Sequence, residues 1–340
     1  MADPKRILIV KLGAVGDCLH TLVAARALRE HFPDATLGWV VETKSQEVVS
    51  GHPLLDHVHI WRRKESSAEL KRGHAIKAWR PLRETVAEIR QVGYDVAIDF
   101  QNLIKSGYFT WKSGAPIRIG FRRLREGNLL FTNTRVPVLP ESHHMVRRYL
   151  GLLRPLGVVV EGTPPAEPIH IPEDKKAQVD DFFGRENLRG PIVAINPAAS
   201  LKKKLWPPER YAEVADRLVE SHRVTPLITW GPGEEPLVEA VQRYMKHAPL
   251  VAPPTTIKEL AYLFSRCRMY LGNDSGPMHL AAAMGCAVVG LFGPTDPKRV
   301  APWTDQARCV EPLEPFSKHR PVDGVMVEQV VRAAVELLES

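Results

Sequence analysis

The stretch of residues 271–297 gathers groups that could bind an anion. It reads LGNDSGPMHLAAAMGCAVVGLFGPTDP, which predicts a short buried strand, a turn, a helix of small residues and a second buried strand. Asp274 or Ser275 suits the N-cap of that helix, and Pro277 suits its first turn. The free N–H groups of a helix start, beside a hydroxyl and the imidazole of His279, favour a phosphate ligand. The cap residues alone would fit an ordinary capped helix equally well.

The loop after the first apolar run, KLGAVGDCLHTL at 11–22, holds a second set of candidate groups. Gly13 and Gly16 allow a tight turn with exposed backbone, and Asp17 falls at the start of the next helix. Asp17 could serve as an N-cap, and an ionised carboxylate there could also accept a proton from an attacking hydroxyl. His20 lies one helical turn further and could face the same site or the sheet. The glycine spacing differs from G-x-G-x-x-G, which argues against binding of NAD.

Two loops in the second half of the chain carry charged groups at predicted strand ends. Strand 191–196 runs into NPAASLKKKLWPPERY, so Ser200 and three lysines follow a strand end, where a parallel sheet binds its ligand. One of these lysines could neutralise a diphosphate, although three consecutive lysines cannot all point inward. Strand 224–230 ends in WGPGEE. Glu234 or Glu235 would suit hydrogen bonds to ribose hydroxyls, and either would equally suit the acidic start of a helix.

Short apolar runs alternate with helical patterns from one end of the chain to the other. Such alternation predicts an α/β protein with parallel sheets. The Pro-rich segment 161–174 is the best candidate for a linker. We therefore expect two Rossmann-like domains, 1–165 and 175–322, followed by a helix over 323–340 that could pack back on the first domain. Ligands of such domains bind at the carboxyl ends of the strands, which would line a cleft if the two domains faced each other.

Composition and charge narrow the class of protein. The 340 residues include no run of 18 apolar residues, and the four cysteines are far apart, which favours a cytosolic protein with reduced thiols. The formal net charge is +7, and residues 1–160 hold 25 Lys and Arg against 15 Asp and Glu. A basic first half favours an anionic partner such as a phosphorylated acceptor, an anionic membrane or nucleic acid. Nucleic acid is the least favoured, because no RNP, helix-turn-helix or zinc-finger pattern is present.

Five segments together resemble the ADP-heptose:lipopolysaccharide heptosyltransferases of glycosyltransferase family 9. They occur in the family's order and cover nearly the whole chain: KLGAVGDCLHTL, YDVAIDFQNLIKSG, LKKKLWPPERY, WGPGEE and LGNDSGPMHLAAAMGCAVVGLFGPTDP. The resemblance implies a GT-B fold, in which two Rossmann-like domains face a central cleft. It also implies an inverting, metal-independent transfer of heptose from ADP-heptose to a lipopolysaccharide-core or related glycan acceptor. The nucleotide sugar would be a substrate, and no cofactor or metal is expected.

The resemblance assigns roles to individual residues. Asp17 matches the proposed general base, and Lys204 matches the lysine that contacts the donor diphosphate. The expected diphosphate site consists of Ser200, Lys204, Asp274, Ser275, Gly276 and His279, with Glu234 or Glu235 at the donor ribose. The expected acceptor side consists of Gly13, Gly16, His20, Gln101, Asn102 and Lys105. The family has a pair of hydroxyl residues before the lysine where this chain has Ala199 and Ser200, so one phosphate contact is expected to be missing.

Two other functions are compatible with parts of the sequence. A GT-B nucleotide-sugar epimerase would need acid and base groups on both sides of the sugar ring and would act on the donor without an acceptor. A non-catalytic nucleotide-sugar-binding protein is disfavoured by the presence of Asp17, Lys204 and His279 together. The expected partners are a nucleotide sugar and an anionic glycolipid or glycan acceptor. We expect a monomer in the cytoplasm, with peripheral contact at the cytoplasmic face of the inner membrane.

Overall fold

The computed structural model describes residues 3–122, 130–139, 142–186, 188 and 190–340. The chain divides into two compact units, Met1–His170 and Ile171–Ser340. The division falls inside the Pro-rich segment 161–174, most of whose residues are not buried.

The first unit is built on a parallel sheet. Its strands in the described residues are Arg6–Val10 (β1), Thr36–Glu42 (β2), His57–Trp61 (β3), Val96–Asp99 (β4), Ile117–Phe121 (β5) and Thr134–Val136 (β6). Its α-helices are Val15–His31 (α1), Gln46–Val49 (α2), Arg63–Lys71 (α3), Ala75–Val92 (α4), Ile104–Lys112 (α5) and Met145–Gly151 (α6). The strand order is β3-β2-β1-β4-β5-β6, and every pair is parallel.

The second unit repeats this plan. Its strands are Ile192–Asn196 (β7), Thr225–Ile228 (β8), Leu250–Val251 (β9), Met269–Asn273 (β10), Ala287–Leu291 (β11) and Ala307–Val310 (β12). Its α-helices are Ala177–Arg185 (α7), Pro208–His222 (α8), Glu235–Tyr244 (α9), Ile257–Ser265 (α10), Gly276–Ala283 (α11), Pro297–Val300 (α12) and Val327–Glu339 (α13). The order is β12-β11-β10-β7-β8-β9, again with every pair parallel.

Both sheets have the same topological switch point. The first strand of each unit, β1 or β7, lies between the second and the fourth strand of that unit. The connections that follow β1 and β4, or β7 and β10, therefore run to opposite faces of the sheet. This opens a crevice at the carboxyl ends of each pair of strands. In the first unit the crevice is bounded by the loops after β1 and β4, and in the second by the loops after β7 and β10.

The C-terminal helix α13 packs within the second unit. Its residues Val330, Ala334 and Leu337 belong to the same buried cluster as Leu271 and Val289 of the sheet. The helix also contacts α8, β10, β11 and β12. The apolar stripe of α13 therefore covers the second sheet, and the expected packing on the first domain stays a prediction.

Candidate functional site

The glycine-rich loop of the first unit connects β1 to α1. Gly13 has a φ of +153°, where a residue with a side chain would be strained. Helix α1 begins at Val15, with Ala14 at its N-cap position and no side chain capping the helix. Gly16 is buried in the first turn, and Asp17 follows it. The N-cap interpretation of Asp17 is therefore wrong, and its carboxylate is directed to a different contact.

Asp17 is paired with a buried lysine. The Nζ atom of Lys11 lies 3.3 Å from Asp17 Oδ2, and Lys11 donates a hydrogen bond of 2.8 Å to the hydroxyl of Tyr149. The side chain of Lys11 is 3% exposed, whereas that of Asp17 is 39% exposed. Burial lowers the pKa of Lys11, but Tyr149 and Asp17 outweigh it and raise the pKa above the ordinary lysine value. A cation is thus fixed beneath a carboxylate that solvent can still reach.

His20 lies in α1, one turn beyond Asp17, and is buried. Its ring meets the ring of His144 edge-on, with the centroids 5.2 Å apart. His144 in turn accepts a hydrogen bond from the backbone N–H of Val146 at the start of α6. The structure therefore places the ring of His20 against the start of α6.

The loop after β4 is organised by a carboxylate that sequence reasoning missed. Asp99 is fully buried, and its Oδ1 accepts hydrogen bonds of 2.9 Å from the N–H groups of Gln101 and Asn102. Its Oδ2 accepts a 3.0 Å hydrogen bond from the hydroxyl of Ser106 in α5. Asn102 adopts a φ of +58°, a conformation that asparagine tolerates better than most residues. These bonds set the positions of Gln101 and Asn102 at the switch point of the first sheet.

Lys105 reaches the end of a different strand. Its Nζ lies 2.6 Å from Glu42 Oε1 at the carboxyl end of β2, and Arg63 Nη1 lies 3.5 Å from the same oxygen. Glu42 is buried, so two cations stabilise its charge in a poorly solvated position. The structure thus joins Lys105 to β2 rather than to Asp17.

In the second unit a buried asparagine ties together the two loops at the switch point. Asn273, the last residue of β10, donates a 2.8 Å hydrogen bond to the carbonyl of Pro197, which follows β7. Its side-chain oxygen accepts a hydrogen bond of 3.3 Å from the backbone N–H of Trp206. The indole of Trp206 is buried and donates to the carbonyl of Val325. Both ends of the lysine-bearing loop are therefore anchored.

Lys204 is the lysine of this loop that turns inward. Its Nζ lies 2.6 Å from Asp274 Oδ2 and 3.3 Å from the Asp274 carbonyl oxygen. Lys202 and Lys203 are exposed, and Lys203 donates to the backbone carbonyl of Lys318. Two of the three lysines thus face solvent, as their spacing led us to expect. Ser200 is also exposed, and no hydrogen bond joins it to Lys204 in the described part of the chain.

The start of α11 contributes the other predicted groups. Ser275 occupies the N-cap position, but its hydroxyl does not cap the helix, which begins at Gly276. His279 is nearly buried, and its Nε2 lies 3.9 Å from Asp274 Oδ1. The hydroxyl of Tyr270 is close to Ser275; burial raises the pKa of Tyr270, and the Ser275 hydroxyl opposes that rise. Ser275 and His279 therefore lie beside Asp274 at the start of α11, and their binding of an anion stays a prediction.

The loop after β8 distinguishes the two glutamates of WGPGEE. Glu234 is half-buried, and its Oε2 accepts a 2.7 Å hydrogen bond from the N–H of Gly231, which closes the turn. Glu235 begins α9 and is exposed. Only the carboxylate of Glu234 is therefore held at the carboxyl end of β8, the strand beside β7.

The described part of the chain shows no sign of a metal site or of a membrane-spanning helix. In the residues that the structure describes, no three His, Cys, Asp or Glu side chains are grouped as a metal site. Among the same residues, no helix is both long and apolar enough to cross a bilayer.

Comparison with known proteins gives a consistent family. The model of glycosyltransferase family 9 (heptosyltransferase) matches residues 82–322. The lipopolysaccharide core heptosyltransferase OpsX of Haemophilus influenzae is 28% identical over 92% of this chain and 85% of its own length. The glycosyl transferase family 9 structure from Veillonella parvula has a TM-score of 0.87 and 26% identity, covering 100% of this chain and 99% of that one.

The fold also matches that of Escherichia coli heptosyltransferase WaaC, solved with ADP-2-deoxy-2-fluoro heptose. The TM-score is 0.77 with 21% identity, covering 97% of this chain and 99% of that one. The predicted GT-B fold is thereby confirmed, and so is the predicted relationship to heptosyltransferases. Because the family model matches well over half of the chain, this protein belongs to glycosyltransferase family 9, the heptosyltransferases.

Proposed function

We propose that this chain is an inverting glycosyltransferase that moves a heptose from ADP-heptose to a lipopolysaccharide-core or related anionic glycan. One observation carries the proposal. Lys204 and His279 surround Asp274 at the start of α11, at the switch point of the second sheet. A cation, an imidazole and a helix N-terminus in that position suit the diphosphate of a nucleotide sugar.

The donor diphosphate would bind between the loops after β7 and β10. An ammonium group has three N–H donors, so Lys204 can keep its bond to Asp274 and still donate to a phosphate oxygen. The hydroxyl of Ser275 and the first N–H groups of α11 would supply further donors. Ser200, which is exposed, would contribute only if its loop moves toward the ligand.

The nucleoside would extend toward β8. Glu234 is the better candidate for the ribose hydroxyls, because its carboxylate is held at the strand end whereas Glu235 faces solvent. The donor class is supported by the WaaC structure, which was solved with an ADP-linked fluoroheptose. Adenosine diphosphate is therefore the nucleotide that we assign to this site.

The chemical step couples attack by the acceptor to loss of the diphosphate. The acceptor oxygen attacks the anomeric carbon while the bond from that carbon to the diphosphate oxygen breaks, and the electron pair leaves on the diphosphate. Asp17 accepts the proton of the acceptor hydroxyl. Lys11, fixed beside it, holds the carboxylate in place.

The leaving diphosphate gains negative charge as the bond breaks. Lys204, His279 and the start of α11 would stabilise that charge by preorganised contacts, a role that a divalent cation fills in other transferases. We therefore propose a metal-independent reaction. The basic first unit would hold the acceptor, with Gln101 and Asn102 at the switch point of its sheet. The reaction would take place in the cytoplasm.

The test is a turnover assay with purified donor and acceptor. The protein is incubated with ADP-heptose and a heptose-deficient lipopolysaccharide core, and both ADP release and the mass of the glycan are followed. The proposal predicts ADP release that depends on the acceptor, with one heptose added per ADP and no loss of rate in EDTA. A rearranged sugar from the donor alone would support an epimerase instead, and binding without turnover would support a non-catalytic protein.

A further inference from the structure

One surface of the first unit is largely exposed. It comprises α3, the turn after it and the first turns of α4, residues 62–80, and we name it the α3–α4 surface. Helix α3 contains no buried residue along its nine positions. Short helices are marginal in water unless a face is buried, so a helix with no fully buried residue suggests a partner.

Three large apolar side chains project from this surface. Leu70 is 62% exposed, Ile76 is 88% exposed and Trp79 is 56% exposed. Ile76 and Trp79 are one turn apart on α4, and Leu70 lies in the last turn of α3, which packs beside α4. Single exposed apolar residues are common, but three on one small surface indicate a binding face.

These side chains lie away from the core. The buried stripe of α4 is formed by Ala78, Pro81, Thr85 and Ile89, which recur at helical spacing. Thr85 also donates to the carbonyl of Ile60 in β3, which places the stripe against the sheet. Ile76 and Trp79 are on the opposite face of the helix, so repacking of the core would not cover them.

The same surface is strongly basic. Residues 62–80 contain seven Lys and Arg against two Glu. In the described residues, Lys64, Lys71 and Lys77 take part in no ion pair, whereas Arg72 and Arg62 pair with the two glutamates. Charge complementarity therefore favours an anionic partner. The long side chains of lysine can reach phosphates while their methylene groups cover apolar surface.

A cavity beside α3 is lined by one carboxylate, that of Glu42, and by several cations. It has a volume of about 430 Å³, and its lining includes Lys44, Arg63, Lys64 and Lys71. The cavity and Leu70 both belong to the last turn of α3, since Lys71 lines the cavity. A phosphate-bearing head group could enter it while the apolar side chains rest among acyl chains.

We propose that the α3–α4 surface docks on a bilayer of anionic phospholipid. Leu70, Ile76 and Trp79 enter the boundary between head groups and acyl chains, where tryptophan is favoured, and the lysines pair with lipid phosphates. A bilayer fits better than a protein partner, because the apolar anchors are separated by flexible cations and do not line a groove. The inference locates the membrane contact that a lipid-linked acceptor in the proposed function would require.

The test measures vesicle binding without turnover, so it can fail independently of the proposed function. The full chain is sedimented with phosphatidylglycerol–phosphatidylethanolamine vesicles and with phosphatidylcholine vesicles. We expect binding to the anionic vesicles that high salt weakens. The double variant Ile76→Ser with Trp79→Ser, and the triple variant Lys64→Ala, Lys71→Ala and Lys77→Ala, should each bind about tenfold more weakly or worse.

Matched controls come from exposed residues of the second unit. Leu313→Ser with Phe316→Ser removes two exposed apolar groups, and Lys246→Ala with Lys298→Ala and Lys318→Ala removes three exposed charges. Both controls should bind as the unchanged protein does. Thermal unfolding midpoints of all variants should agree, because every altered side chain is exposed.

A spectroscopic measurement reports the contact itself. Vesicle binding should shift tryptophan emission to shorter wavelength, and Trp79→Phe should retain binding but lose most of that shift. Equal binding to neutral and anionic vesicles, or variants of the α3–α4 surface that bind like the controls, would overturn the proposal.

Discussion

The Nζ atom of Lys204 lies 2.6 Å from the Oδ2 atom of Asp274, so the loops that follow β7 and β10 meet in a charged pair. Asp274 is 7% exposed and Lys204 is 17% exposed, which places the pair at the edge of the interior. The contact exists because β7 and β10 are neighbours at the switch point of the sheet. It holds a cation in the crevice where a parallel sheet binds its ligand.

Replacement of this cation should weaken nucleotide binding. Lys204→Ala should raise the Kd for ADP about 10- to 100-fold, because a charge-assisted hydrogen bond to phosphate contributes about 1.5–3 kcal/mol. Lys203→Ala is the matched control, since Lys203 is exposed and contacts only a backbone carbonyl among the described residues. Titration calorimetry measures both. Similar affinities for the two variants would contradict the assignment of Lys204.

The two glutamates after β8 should behave differently. Glu234→Gln should weaken ADP binding about tenfold, because the neutral amide accepts hydrogen bonds from ribose less well than the carboxylate does. The loss should disappear for an ADP analogue without the 2′- and 3′-hydroxyls. Glu235→Gln should bind both nucleotides normally, since Glu235 is exposed. The reverse pattern would assign the ribose contact to Glu235.

Gly272 in β10 should be sensitive to any side chain. A Cβ there would collide with the hydroxyl oxygen of Tyr270 and would lie 2.7 Å from the backbone oxygen of Asn196. Gly272→Ala should lower the free energy of unfolding by about 1–3 kcal/mol in urea titrations. Gly184→Ala in α7 should instead raise it by about 0.5–1 kcal/mol, because a Cβ there meets nothing within 4 Å. Equal effects of the two would show that the strand end is less tightly packed than described.

His59 should make stability depend on pH. Burial, with a smaller effect of His57, lowers the pKa of His59 to about 4, so the folded protein holds the ring neutral. The unfolded chain binds a proton near pH 6.5, and the stabilisation is therefore present above that pH and is lost as the pH falls toward 4. It amounts to at most about 3 kcal/mol for a shift of this size.

His59→Gln should flatten this part of the profile, because glutamine does not titrate. Urea titrations between pH 4 and 7 measure the effect, and His319→Gln, at an exposed position, is the control. If His59→Gln leaves the slope of stability against pH unchanged, the ring of His59 is protonated in the folded protein as it is in the unfolded chain. Glu88, whose carboxylate lies 3.8 Å from His59 Nδ1 and is largely exposed, would then be the group that favours the charged ring.

The sequence predicted the parts of the molecule whose patterns are local. Strands β1, β7 and β10 are apolar runs, and each is followed by the glycine, lysine or aspartate that marks its carboxyl end. Because parallel strands point the same way, these residues must gather at one edge of each sheet. That reasoning left open which of the three lysines turns inward; the family resemblance singled out Lys204, and the structure pairs Lys204 with Asp274.

Long-range partners could not be predicted in this way. Lys11 and Tyr149 are 138 residues apart, and nothing local marks the tyrosine as the acceptor of a lysine hydrogen bond. Asn273 and Asp99 satisfy backbone groups of neighbouring loops, a role that depends on which strands are adjacent. Helix α3 was missed for a different reason: a helix with no buried face has no apolar periodicity to detect.

The base assignment is the central claim, and Asp17→Asn tests it most directly. The isosteric amide cannot accept the proton, so turnover of ADP-heptose with acceptor should fall about 100-fold or more. The Kd for ADP should stay unchanged, because Asp17 belongs to the first unit and the proposed nucleotide contacts belong to the second. Asp34→Asn, at an exposed position of the first unit, should leave both quantities unchanged. Turnover of Asp17→Asn at the unchanged rate, or a parallel loss of ADP affinity, would contradict the account.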